Sequence, residues 1–510
     1  MMASRHTRRL SARTLFAAML VAAATSAQAS VQISSNPTHD MNCADGVCAP
    51  TARKANLNAT DLANMLTTSD VKVVTGSGAV TIGILSPLTW ASTNRLTLDA
   101  NESVHIDAPV VVEGTAGLTI VTNDGGTGGD LIFSGKGNVT FWDLASSLAI
   151  NGDNYTLVGD IASLASAIAS NPSGRYALAN DYDASVDGQY ERSPVATELT
   201  GTFEGLGHMI SNLSIESGGA AALFFKASGT MRDVGLQNVD IVANNDAASL
   251  LAEDDAATII GCYATGSVSG LVAYYFATAG GLVATTSTAG GTIIRSHAKV
   301  SVRLEDATWG GAGGLVGVSS GLNITLSYAS GHVSGYKTGY AGGLVGVMNG
   351  GSISQSFATG RVRASKGGVA GGLVGHGENS SIQDSYATGA VHGGAYIGGF
   401  AAGFYNLIVH ASYSIGVVEG GGKHANPGGF VGGAGDGSDL KWDYWGIDTS
   451  KMTQGYAYCD PGVNCAEAIQ GLHTSQFQSG LPEGFNRKIW GQMPNINSGY
   501  PYLLANPPPQ

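Results

Sequence analysis

The sequence predicts an all-β chain wound into a parallel β-helix, or solenoid, with coils of about 29 residues and one short helix near 160–170. Three observations carry this. Ala-Gly-Gly-Leu-Val recurs at 279–283, 312–316, 341–345 and 370–374, with relatives at Ile397-Gly398-Gly399-Phe400 and Pro427-Gly428-Gly429-Phe430. A second marker runs in phase, with its aromatic position at Tyr263, Tyr328, Phe357, Tyr386, Tyr413 and Tyr444, and His297 standing in once. An apolar residue precedes each marker by four (Ile259, Ile293, Ile324, Ile353, Ile382, Val409, Leu440), and valine follows by five in six of seven copies. Offsets held this well identify a repeat protein.

A helical array is excluded because glycine interrupts every unit, and each glycine costs a helix about 1 kcal/mol relative to alanine. Between the glycines lie three short β-prone runs per unit, such as Leu344-Val345, Ser352 to Ala358 and Arg361 to Arg363. Three strands and three corners make one coil, and stacking coils about 4.8 Å apart sets like on like. The expectation is that Ile, Val and the aromatic marker all stack inside one rod, with glycine where a corner needs positive φ or close backbone approach. Of 75 glycines, 44 fall within 261–440.

Residues 1–29 read as a cleaved secretory leader. Arg5, Arg8, Arg9 and Arg13 precede the apolar stretch Leu15 to Ala24 and the small-residue site Ala27-Gln28-Ala29. Losing four arginines takes the net charge from −13 to −17. That acidity argues against nucleic acid and anionic lipid as partners. No later apolar run is long enough to span a bilayer, so no transmembrane segment is expected in the mature chain.

Residues 30–65 form an N-terminal cap region. Residues 66–155 are a strand-rich block, with alternating runs such as Val104 to Ile106 and Leu118 to Ile120. Residues 156–200 hold a helix and connecting loop, with Asp160 capping an Ile161, Leu164, Ile168 stripe before Asn171-Pro172. Residues 201–440 are the glycine-repeat β-helix, and 441–510 an aromatic, disulfide-tied C-terminal cap and tail. Cys43 with Cys48 and Cys459 with Cys465 enclose short turn-rich loops that suit two local disulfides. Cys262 stands where other repeats have serine and reads as a small packed side chain.

The Ala-Gly-Gly-Leu-Val-Gly units at 312–317, 341–346 and 370–375 resemble the GLUG motif. The strand block with Thr122 to Leu131, and Gly201-Thr202-Phe203-Glu204-Gly205, is similar to filamentous-haemagglutinin-type exoproteins. The resemblance implies a right-handed parallel β-helix, a secreted or cell-surface location of Gram-negative type, an outer-membrane export partner and adhesin-like attachment. The ligand would sit on a host or bacterial surface, a glycan being one candidate. The family has no general catalytic residues to carry over.

The remaining motif matches have plain readings. Gly317-Val318-Ser319-Ser320-Gly321 matches the serine-hydrolase elbow, which needs a strand-to-helix turn, but its register places it at a solenoid corner. Gly125 to Phe133 fits one calcium nonapeptide, and a single copy lacks half its ligands. Glu253-Asp254-Asp255 reads as a solvated corner. No catalytic residue, cofactor site or metal site is assigned, and the chain is expected not to be an enzyme. The alternative is a carbohydrate-active β-helix enzyme, a polysaccharide lyase or glycoside hydrolase, which needs converging carboxylates. Asp384 and Glu378 look isolated, and Arg361 with Arg363 lacks acidic neighbours at matching offsets. The dense polar run Asp181, Asp183, Asp187, Glu191 and Arg192 is the first place to look.

Overall fold

Like residues do lie over like. In the computed structural model, Ile259, Ile293, Ile324, Ile353, Ile382, Val409 and Leu440 pair in register on successive parallel strands. Val268, Val302, Val333, Val362, Val391 and Val418 do the same on a second face. A third, seven-stranded face carries the Gly-Gly strands. The structure describes residues 29–509 except 77–78, 272–276, 289, 306–309, 337–338, 366 and 422–424. The secretory-leader reading therefore rests on residues 1–28, outside the described residues.

A serine ladder shows how one corner is held. Cys262, Ser296, Ser327, Ser356, Ser385, Ser412 and Asp443 occupy the same place in successive coils, 27 to 34 residues apart. Each serine Oγ accepts the N–H of the preceding coil's residue and donates to the carbonyl two residues before it, as Ser356 Oγ does to Ser354 O at 2.8 Å. One hydroxyl thus satisfies two backbone groups of a buried corner. The residue before each serine has positive φ, between 46° and 53° at Arg295, Leu326, Gln355, Asp384 and Ala411. That conformation costs an L-residue about 1–2 kcal/mol, comparable to the roughly 1 kcal/mol that each of the serine's bonds contributes.

These corners separate the two expected uses of glycine. Positive φ is carried here by ordinary side chains, whereas the repeated Gly-Gly pairs are absent from the left-handed region. Their need is space: a Cβ on Gly342 would run into the Val345 carbonyl oxygen, and one on Gly343 into the Gly372 carbonyl oxygen of the next coil.

The aromatic marker differs from expectation. Ala329, Ala358 and Ala387 point into the core. Their neighbours Tyr328, Phe357 and Tyr386 therefore point outward, because strand side chains alternate. The rings stack on the outer surface, with centroids 4.7 to 5.2 Å apart from Tyr263 through His297, Tyr328, Phe357 and Tyr386 to Tyr413. Residues 473–509 fold back over the later part of this ladder, burying it under Phe477, Phe485, Trp490, Tyr500 and Leu503. Asn506 reaches back to the carbonyls of Ser327 and Gln355. The C-terminal segment is thus a strap along the rings as well as a cover for the last coil. That coil is packed by Cys465, Ala468 and Ile469.

One uninterrupted stack is not what forms. Residues 29–150 close around their own core, and a second core begins at Val158. At the join, Ser147–Ile150 pairs antiparallel with Asp153–Val158, so the chain doubles back before winding resumes parallel through Arg175–Leu178 and Thr202–Glu204. Helix Ile161–Ser170 then packs Ile161, Leu164 and Ile168 into the second core, capped by Asp160 and Ser163. Leu157, Ala177, Ala179 and Leu206 face the first core instead. The sheet at the join is therefore buried on both sides.

Candidate binding site

On the outer side of the second stack, one column of residues runs Val347, His376, Gly403, Gly433, Tyr458 in strict register. Where side chains stand at His376 and Tyr458, the two glycines between leave a slot. Three coil steps separate its end walls, about 14 Å at a 4.8 Å rise. A Cβ on Gly433 would reach the rings of Tyr396 at 3.6 Å and Tyr458 at 3.9 Å, so the glycine leaves the space between them open. Tyr340, Tyr396 and Tyr405 complete the walls of a cleft of about 420 Å³.

Its tyrosines are unusually open for rings on a rigid sheet: Tyr396 is 42% exposed, Tyr405 44% and Tyr458 52%. The disulfide Cys459–Cys465 fastens the strand that carries Tyr458. Asp460, one residue past Cys459, accepts the Tyr458 hydroxyl and the Asp436 N–H. At the opposite end Glu378 accepts from His376 Nε2 at 2.9 Å, and it also bonds the Tyr405 hydroxyl. Burial alone would raise the Glu378 carboxyl, but the bonds from Tyr405 and His376 outweigh it and hold it below the usual carboxylate range. The slot therefore offers ring faces along its sides, with carboxyl groups bonded to its wall side chains at both ends. Such a surface can stack on the C–H face of a sugar ring while accepting from its hydroxyls. Glu378, isolated in sequence, is joined to this site by the coil register.

The other residues singled out in the sequence are placed differently. Asp181 accepts from His208 and the Met209 N–H, Asp183 from Ser185 N and Asn212, and Asp187 from the hydroxyls of Tyr182 and Tyr190. Their hydrogen bonds hold a loop together, and Glu191 and Arg192 are exposed beside them. Ser319 lies within strand Val316–Ser320 rather than at a corner, and is 1% exposed. Asp130, from the glycine-rich run, turns to Arg232 and Arg295. Asp254 is buried, which pushes its carboxyl up to about 7, so the 253–255 cluster is only partly solvated. Asp384 accepts the Trp490 indole N–H. Both expected disulfides are formed and Cys262 is a buried free thiol. Among the described residues no helix is long and apolar enough to cross a membrane, and no group of three His, Cys, Asp or Glu is placed to hold a metal ion.

No family model matches the chain. Over 218 residues it is 32% identical to halomucin of Haloquadratum walsbyi, covering 40% of this chain but only 2% of that protein's length. Among solved structures it is similar to an IgA1 protease, at 20% identity and a TM-score of 0.40, over 61% of this chain and 23% of that one. A protein from Bacteroides ovatus, provisionally assigned as an immunoglobulin A1 protease, is similar at 17% identity and a TM-score of 0.37, over 69% of this chain and 92% of that one. The expectation that the chain is not an enzyme is corrected by these protease names and is withdrawn. At such low scores no peptidase residues are carried across.

Proposed function

We propose that this is an exported, adhesin-like protein whose solenoid presents the tyrosine slot to a glycan on a host or bacterial surface. The observation that carries the reading is the pair of glycines at 403 and 433, which open a ring-walled cleft in an otherwise filled outer column. A site on packed strands is held in shape before its ligand arrives, which lowers the ordering cost of binding. Two disulfides fit an oxidising compartment. The resemblance of the repeats to the GLUG motif, and of the strand block at 122–131 to haemagglutinin-type exoproteins, supports the same reading.

The test is a glycan array probed with residues 30–510 and with the Tyr405→Ala/Tyr458→Ala variant. Saccharide binding that the variant loses is expected. No binding by either protein, or equal binding by both, would overturn the assignment of the slot. Sugar release from a bound polysaccharide would redirect it to a carbohydrate-active enzyme, with Glu378 and Asp460 the carboxylates to replace first.

A further inference from the structure

We infer that a second face of the solenoid, away from the tyrosine slot, binds a linear uronate-containing polysaccharide through a strip of cations. The strip lies on the outward positions flanking the buried Val302, Val333, Val362 and Val391 ladder. On one side of that ladder the successive residues are Ser301, His332, Arg361 and Ala390, and on the other Arg303, Ser334, Arg363 and His392. Five cationic or titratable side chains thus share one face over four coils, in a chain whose formal net charge is −13.

Two facts make this a groove rather than a scatter of surface charge. The hollow lined by Ser301, Arg303, His332, Ser334 and Tyr336, about 560 Å³, meets a second of about 380 Å³ that runs to Glu419 and Lys451. Arg363 and His392 line both, so the two are continuous. Second, the charges are uncommitted where the strip is densest. Arg303 pairs with Glu305, and Lys451 with Glu419, but among the described residues Arg361 and Arg363 have no ion pair.

Spacing and floor chemistry select the occupant. Arg303 and Arg363 are two coils apart, about 10 Å, with Ser334 between them. That suits a polymer carrying one carboxylate per sugar or per disaccharide, each taken by a guanidinium fork. The serine hydroxyls at 301 and 334 can bond sugar hydroxyls. A nucleic acid carries charge more densely and would extend past four coils onto an acidic surface.

The native repeat supplies the variant. Ala390 stands where Arg361 does one coil later, and Ser334 where Arg363 does one coil earlier. Arg361→Ala/Arg363→Ser therefore installs residues this fold already accepts. Residues 30–510 and this variant are titrated with polygalacturonate, neutral dextran and a DNA oligonucleotide at low and moderate salt, with melting curves alongside. The expected result is polygalacturonate binding that weakens with salt and is roughly tenfold or more weaker in the variant, with an unchanged melt and no dextran binding. Absent wild-type binding, equal binding by the variant, or DNA bound as well as polygalacturonate would each overturn the inference. Tyr405→Ala/Tyr458→Ala is run in parallel and should keep polygalacturonate affinity. Loss there instead would place the polyanion in the tyrosine slot and sink the second site alone.

Discussion

Replacing Arg232 with alanine should open the join between the two stacks, and should do so in a pH-dependent way. Arg232 is 17% exposed and holds three carboxylates: Glu204 at 3.1 Å, Asp233 at 3.0 Å and Asp130 at 2.8 Å. Its Nη2 also donates to Leu131 O at 3.0 Å. Asp130 and Leu131 belong to the first stack and the others to the second, so this one guanidinium ties both. Glu204 is only 1% exposed, and burial together with the charge of Asp233 raises its carboxyl well above the usual range. Burial likewise raises Asp233 to about 6, against the opposing pull of Arg232. Removing the cation leaves two buried acids facing each other, and breaking a buried pair from one side costs about 3–5 kcal/mol.

The sign with pH follows from where protons bind. Both acids have folded-state values above their unfolded ones, so between about pH 4 and the folded value the folded chain holds protons that the unfolded chain has released. Stability therefore falls as pH rises through that window, and more steeply without Arg232. The deficit should be clearly larger at pH 8 than at pH 5. Hydrogen exchange is the assay, because solenoids do not unfold as one unit. The Val139 N–H, which donates across the join to Leu206 O at 3.0 Å, reports the opening directly. A variant neutral at all three positions, Arg232→Met with Glu204→Gln and Asp233→Asn, should recover most of the protection. A deficit below about 1 kcal/mol at pH 8, or one indifferent to pH, would refute the reasoning.

Two further outcomes test the packing. Ile353→Asp puts a charge at a site 1% exposed between Ile324 and Ile382, and should cost more than about 4 kcal/mol; an unchanged melting curve would contradict its inward orientation. Trp490→Ala removes a buried indole that lies 4.4 Å from Phe485 and donates to Asp384 at 2.8 Å. It should cost about 3–5 kcal/mol and make 473–509 the first segment cut by protease, whereas unaltered cleavage would mean the strap is held elsewhere.

The repeating part of the fold was legible because stacking imposes the same demand on every coil. A residue inside one coil touches its equivalents above and below, so Ile353 and Val362 announce themselves by period alone. Two features were not legible. Tyr328 and Phe357 repeat as strictly as the core, so period could not say that they face outward; only the alternation with Ala329 and Ala358 could have. The only mark of the doubling back at 150–153 is Asn151-Gly152, the pair that favours a two-residue hairpin and here has positive φ at both residues, a signal masked by the many glycine corners around it. The slot residues were missed for a related reason. Glu378, Tyr405 and Asp460 are distant in sequence, and the dense run at 181–192 drew notice because nearness in sequence is easier to see than nearness across coils.

Both grooves lie where the repeat departs from itself on its outer side. Inward positions cannot vary without leaving a void or an unpaired group. Outward positions are released from that demand, so a change there alters surface chemistry without disturbing the stack. Val318 and Val347 share a column with Gly403 and Gly433, and the change from valine to glycine opens the tyrosine slot. Ser334 shares a column with Arg363, and the change from serine to arginine places a charge in the strip. It follows that ligand contacts on this scaffold should be sought among outward columns whose residue type changes from coil to coil, and that such changes can be exchanged between coils at little cost to folding.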